Sequence, residues 1–262
     1  MIPSKTKFLF LCWFLLSLTF SGCTEKKIES KDTYSRILET KVLRVGTDAT
    51  YPLFETKDEE GNLVGFDIDL MNGLTREMGV KAEYVVVPFD GIIQGLLNQK
   101  YDAIISALTI TPERGVIVAF SEPYYLSGQA IAVREEETGI LGLEDLKGKR
   151  IGVQLATTGE IEAKKISGAE VVSFDDIQLA FADLKNGNLD AVINDVPVSK
   201  KIITMKGGMK IVGPLLTNES YGIAVRKEDA KLLEEMNKGL EEFRRKGKFR
   251  ELEEKWLGGS RS

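Results

Sequence analysis

The chain has 262 residues, 43% of them hydrophobic and 29% charged, with a net charge of −5 and no histidine. That length and balance fit a globular body of one large or two small domains, and the acidic excess argues against a nucleic-acid-binding face. The missing histidine removes imidazole general bases, Ser/His and Cys/His nucleophilic pairs and the usual zinc ligand sets. No GxSxG elbow, phosphate loop or GxGxxG occurs, so neither an enzyme activity nor a cofactor is expected.

Taken in chain order, Lys5 and Lys7 precede the apolar run Phe8 to Phe20, and Ser21-Gly22-Cys23 follows. A basic start, a short apolar core and small residues predict a secretory signal over residues 1–22, too short to span a bilayer. The ending resembles a bacterial lipobox, although Phe20 stands where an aliphatic residue is more usual. The resemblance implies acylation of Cys23, which then becomes the mature N-terminus and a membrane anchor on the periplasmic or extracellular face. Without residues 1–22, Lys+Arg falls from 35 to 33 against 40 acids, a net charge of −7. Residues 23–40 open with a polar, unpatterned stretch and read as a tether.

The body alternates strand and helix, which predicts an α/β fold with largely parallel sheets. Val42–Gly46 reads as a strand, Asp48 to Pro52 as a loop and Asp58 to Asn62 as a turn. Asp67 is read as the cap of a helix carrying Ile68, Met71, Leu74 and Met78 at helical spacing. A strand over Glu83–Val87, a helix capped by Asp90 and a strand over Ala103–Ala107 follow. Ser106, Thr109 and Thr111 close that strand with hydroxyls. Thr111-Pro112 marks a helix start and places Arg114 in the first turn. The helix dipole disfavours a cation there, but a fixed guanidinium beside free N–H groups can grip a carboxylate; a solvated surface Arg is the plainer alternative.

Further strands are expected at Gly128–Arg134, Arg150–Gln154, Glu170–Ser173, Asp190–Ile193, Lys210–Val212 and Tyr221–Arg226, with helices after Thr158, Asp175 and Pro197 and over 228–257. Leu96 to Ile105 echoes Leu184 to Ile193: amphipathic helix, Asn-containing turn, Asp-Ala, apolar strand. Two α/β units of similar build are therefore expected. Ligands sit outside the carboxyl ends of strands in such sheets. Gly128–Arg134 and Tyr221–Arg226 also resemble each other and suggest a two-stranded hinge about Ile131–Val133 and Ile223–Val225. The lobes would then be 41–130 plus 222–262, and 131–221.

From Lys41 to Gly258 the chain resembles the solute-binding proteins of polar amino-acid ABC transporters, the bacterial extracellular solute-binding proteins of family 3. The resemblance rests on the order of Val45-Gly46-Thr47-Asp48, Tyr51-Pro52-Leu53-Phe54, Gly65-Phe66-Asp67-Ile68-Asp69-Leu70, Phe89-Asp90, Thr109 to Arg114, Phe120 to Tyr124, Leu143 to Gly148, Gly152 to Gln154 with Thr157-Thr158-Gly159, Asp190-Ala191-Val192 with Asp195, and Lys255 to Gly258. It implies a two-lobed type II periplasmic-binding-protein fold closing on a free amino acid. By the resemblance, Arg114 holds the α-carboxylate with the Thr109 hydroxyl and N–H and the Thr158 N–H. Asp195 pairs with the α-ammonium, helped by the Ala107 carbonyl and the Thr109 hydroxyl, with Ser106 beside them. Tyr51 and Phe89 sandwich the side chain. Asp48 and Gln154 favour arginine, lysine, ornithine, histidine or glutamine, although an Asx turn is a second role open to Asp48. The implied partners are the transporter's membrane subunits, and the protein is expected to act as a monomer. A dehydratase of the cyclohexadienyl or arogenate type on the same fold is the alternative function.

Overall fold

The computed structural model describes residues 32–258. The expected signal at 1–22 and Cys23 lie outside these residues. Two five-stranded sheets form two α/β lobes, as the alternating pattern predicts. In the first, the order is Lys81–Val86, Val42–Thr47, Ala103–Ile104, Ala224–Val225, Ala119–Phe120. In the second, it is Glu170–Phe174, Arg150–Gln154, Ala191–Asp195, Gln129–Arg134, Met209–Val212. Each sheet has two parallel and two antiparallel pairings, so the sheets are mixed rather than largely parallel as expected. The echoing segments supply the third parallel strand of each.

The chain crosses between lobes on a short antiparallel ladder, Tyr125–Ser127 against Glu219–Tyr221. This moves the crossover from the expected Ile131–Val133 and Ile223–Val225. Gln129 and Ala130 already pair with Asp195 and Asn194 in the second sheet, and Ala224–Val225 pairs inside the first. The long apolar runs at these places are buried sheet strands, while the crossover is only three residues on each side, with Ser127, Glu219 and Ser220 interrupting the apolar pattern.

The expected tether is shorter than residues 23–40. Thr33–Thr40 is a helix whose first turn is capped by Asp32, accepting from the Ser35 N–H, and Ile37 is fully buried. One buried aliphatic and an Arg36–Asp102 ion pair at 2.6 Å hold this helix to the first lobe. The helices Ala230–Arg245 and Lys248–Leu257 also pack on that lobe, against Phe66–Glu77.

Asp67 and Asp90 are not the helix caps expected of them. The helix over Phe66–Glu77 begins after Gly65 with no side-chain cap, and Asp90 sits in a 3-10 turn, Phe89–Gly91. Gly65 has φ +145, and a Cβ there would fall 2.0 Å from the Phe54 carbonyl oxygen. Only glycine lets the helix start press on the turn at Tyr51 to Glu55, where Phe66 and Asp67 N–H donate to the Leu53 and Phe54 carbonyls.

Candidate functional site

A small cavity lies at the carboxyl ends of the parallel strands of both lobes. The structure gathers all ten expected residues around it: Asp48, Tyr51, Phe89, Ser106, Ala107, Thr109 and Arg114 from the first lobe, Gln154, Thr158 and Asp195 from the second. Glu55 and Thr157 complete the lining. Three alanines shape the strand ends. Ala49, Ala107 and Ala156 have φ of +65, +43 and +61. That conformation costs a non-glycine residue about 1–2 kcal/mol, and it turns the chain sharply just where the strands stop.

Arg114 sits as the Thr-Pro signature predicts, in a helix over Pro112–Ile117 capped by the Thr111 hydroxyl. Its guanidinium donates to the Thr109 carbonyl at 2.9 Å and, across the lobes, to the Ala156 carbonyl at 3.0 Å. It lies 5.5 Å from the Phe89 ring centroid. Burial lowers its pKa, and the charges of Glu219 and Asp195 oppose that shift. No carboxylate of a described residue pairs with it, so a desolvated cation faces the cavity with only carbonyls as partners.

Asp195 is buried at the end of its strand. Its Oδ2 accepts from the Tyr51 hydroxyl at 2.6 Å and its Oδ1 from Ser127 at 2.8 Å. Burial raises its pKa, the charge of Glu219 adds to the rise, and the hydroxyl donors oppose it. Tyr51 therefore does more than offer a ring: its phenol ties the first lobe to the second. Asp48 is 4% exposed, and both protein donors, Thr50 at 2.6 Å and Gln154 at 2.9 Å, go to its Oδ2. Burial raises this carboxyl as well, opposed by those two bonds. The Asx alternative is not what the structure shows, because the Thr50 bond comes from its hydroxyl rather than its backbone N–H and Gln154 reaches Asp48 from the other lobe. The Gln154 amide nitrogen is further occupied by the Asp175 carbonyl at 3.0 Å, which leaves its own oxygen as an acceptor.

Thr158 is the first residue of the helix Thr158–Lys164, with Thr157 as its cap; a first-turn N–H has no intrahelical acceptor. The Thr109 hydroxyl is engaged differently from expectation. Thr109 and Thr158 donate to one oxygen of Glu219 at 2.7 and 2.9 Å, and Thr217 donates to the other at 2.9 Å. A hydroxyl has one proton, so the Thr109 hydroxyl can accept from an ammonium but has no proton left for a carboxylate.

Sequence reasoning missed Glu219 and Glu55. Glu219 lies on the crossover ladder, which the sequence does not announce. Glu55 follows the Tyr51 to Phe54 motif directly, and its burial at 1% has no local signal, because a glutamate after a loop is ordinarily solvated. Glu55 Oε1 accepts from Ser106 at 2.8 Å, and Ser106 Oγ in turn accepts from the Asp48 N–H at 3.0 Å. Behind it, Asp67 Oδ2 accepts from the Ala107 N–H at 2.7 Å and the Tyr124 hydroxyl at 2.8 Å. Burial pushes Asp67 up to about 7 and raises Glu55 well above the usual range, with the charge of Asp67 adding to the effect on Glu55.

Two α/β lobes that put a cation and carboxylates around one closed cavity define a binding protein for a small charged solute. The sequence profile of the bacterial extracellular solute-binding proteins, family 3, matches residues 43–259, and the chain belongs to that family. Among its relatives, the ABC transporter arginine-binding protein 1 of Escherichia coli (strain K12) is 34% identical over 257 residues, 96% of this chain and 99% of that protein. Among solved structures, an ancestral arginine-binding protein bound to arginine is 47% identical with a TM-score of 0.80, covering 82% of this chain and 97% of its own. The same kind of ancestral protein bound to glutamine is 48% identical with a TM-score of 0.80, covering 83% and 98%.

Proposed function

We propose that the protein binds one free basic L-amino acid, arginine foremost, outside the cytoplasmic membrane and presents it to an ABC importer without turnover. The carrying observation is the charge balance of the cavity. Asp48 and Asp195 are buried without a cationic partner among the described residues, and the single cation, Arg114, has no anionic one. Buried charges are retained when something pairs them. An α-carboxylate for Arg114, an α-ammonium for Asp195 and a cationic side chain for Asp48 would supply all three partners in one molecule. Glutamine would leave Asp48 without a cation. The free oxygen of Gln154 also suits a side chain rich in donors, and guanidinium has five. The names of the relatives support the same reading, since arginine occurs in both comparisons.

Titration calorimetry with arginine, lysine and glutamine tests the assignment. Arginine should bind tightest, and Asp48→Asn should cost arginine about 2–4 kcal/mol while leaving glutamine within about 1 kcal/mol. Equal losses for both ligands would remove Asp48 from the side-chain site. We further propose that Cys23, outside the described residues, carries the lipid. Two or more acyl chains hold a protein stably to a bilayer, so Cys23→Ser should appear in the soluble exported fraction with binding intact. Membrane retention of that variant would instead make the leader itself the anchor.

A further inference from the structure

At the inner wall of the cavity, Glu55 in the lining and Asp67 beneath it form a pair of carboxyl groups to which the amino-acid site assigns no ligand contact. They are 1% and 0% exposed. Among the described residues no Lys or Arg pairs with them, and their ionisable neighbours Asp48, Tyr51, Tyr84 and Tyr124 are acids or phenols. One oxygen of each accepts from a named donor, Ser106 for Glu55 and Ala107 with Tyr124 for Asp67. The remaining oxygens, Glu55 Oε2 and Asp67 Oδ1, are buried and have no donor from the protein, and the two side chains interact with each other. Two interacting buried carboxyl groups without a cation would repel each other if both were ionised. A proton on either oxygen satisfies both at once.

We propose that Glu55 and Asp67 share one proton, and that this bridged pair acts as the positioning element of the amino-acid site. Its two arms reach the residues that would hold the ligand's cationic groups. Through Ser106, Glu55 sets the main chain of Asp48. Through a direct bond, Asp67 holds the N–H of Ala107, whose left-handed backbone brings it into the cavity lining. The turn carrying Tyr51 is drawn into the same frame, because Tyr51 and Glu55 exchange both backbone bonds and the helix start presses on Phe54. Losing the shared proton puts two charges in this frame, so the strand ends it holds should loosen. The pair contributes stability fully below the ordinary carboxyl range, and that contribution falls as pH rises through the raised native values. The proposal builds on the basic amino-acid reading, but its first test needs no ligand.

The ligand-free protein in infrared difference spectra against Glu55→Gln at neutral pH should show the carbonyl band of a protonated carboxyl, present in the native chain and missing in the variant. Arginine titrations from about pH 6 to about pH 9 form the second arm. The native protein should lose about tenfold more affinity on the alkaline side than Glu55→Gln, whose amide donates the same bond with no proton to lose. The ligand's own titration is common to both proteins and cancels in that comparison. At neutral pH Glu55→Ala, which leaves Asp67 without its donor, should bind at least about tenfold more weakly than Glu55→Gln. An absent band, or an alkaline loss in Glu55→Gln equal to the native one, overturns the shared proton. A failure of arginine to bind would overturn only the ligand assignment, since the band decides the pair by itself.

Discussion

The two lobes carry the same short motif, and they use it differently. In both, the residue just before the third parallel strand is an aspartate that accepts from the backbone N–H of an arginine on the neighbouring parallel strand: Asp102 from Arg44 at 3.1 Å and Asp190 from Arg150 at 2.8 Å. In both, the return bond runs from the aspartate N–H to that arginine's carbonyl at 2.9 Å. Asp102 is fully buried, and its side chain meets Arg36 at 2.6 Å, Arg44 at 2.8 Å and Arg226 at 3.8 Å. Asp190 remains partly exposed and meets only Arg150, at 3.8 Å. The motif itself is a register clamp for parallel strands. Its energetic weight is set by what covers it, and in the first lobe the helix over Thr33–Thr40 and the segment from Arg226 to Asp229 supply that cover.

The largest expected effect of this asymmetry is on stability. Asp102→Ala removes the buried acceptor of the Arg36 and Arg44 guanidiniums and of the Arg44 N–H, while Arg226 keeps Asp229 at 2.6 Å, and should cost about 3–5 kcal/mol in urea unfolding. A loss comparable to that of Asp190→Ala would break the comparison. Next is the site, where the lobes should instead be equal. Arg114→Ala on the first and Asp195→Ala on the second should each weaken amino-acid binding by about 2–5 kcal/mol, because each leaves a ligand charge desolvated and unpaired. Losses below about tenfold for both, measured by calorimetry, would place the pocket elsewhere.

A smaller effect is expected in acid. Burial alone would raise Asp102, but the bonds from Arg44 and Arg36 outweigh it and hold the carboxyl below the ordinary 3.8. A depressed native value contributes stability above the unfolded pKa and loses it as pH falls through the lower native one. Native protein should therefore weaken below about pH 4, and Asp102→Asn should show a shallower acid limb. The smallest effect belongs to Asp190→Ala, below about 1 kcal/mol, since a half-exposed pair is screened and water can replace the lost acceptor.

Closure sharpens the comparison in another way. The structure joins the lobes through Tyr51 with Asp195, Asp48 with Gln154, Gln178 with the Thr50 carbonyl at 3.1 Å, and Arg114 with the Ala156 carbonyl. A ligand favours this state only by contacts unavailable when the lobes part. Scattering should show a smaller radius of gyration on adding arginine, and Asp195→Ala should reduce the change. An unchanged radius at saturation would mean a receptor already closed.

Much of the site was legible because its residues sit at strand ends and helix starts, where local signals are strong. Thr111-Pro112 announces the helix that fixes Arg114, and the polar ends of two echoing strands point to the same edge of two sheets. The acids behind the site were not legible. Asp67 carries the local appearance of a helix cap, yet Gly65 lets that helix start so close to Phe54 that Asp67 is driven inside. Glu219 belongs to a crossover too short and too polar to stand out.

By itself, the sequence determined the two α/β units, the alternation of strands and helices along the chain, the absence of histidine chemistry and the Arg114 helix start. These depend on periodicity, composition and capping, which act within a few residues of each other. Only the tertiary structure decided that Asp102 is a buried hub and Asp190 a half-exposed pair, that the lobes cross at Tyr125–Ser127 and Glu219–Tyr221, and that Glu55 and Asp67 face each other without a cation. Burial and charge pairing are made by segments far apart in the chain, such as Arg226 against Asp102 and Asp67 against Glu55, and no local pattern encodes which of them will meet.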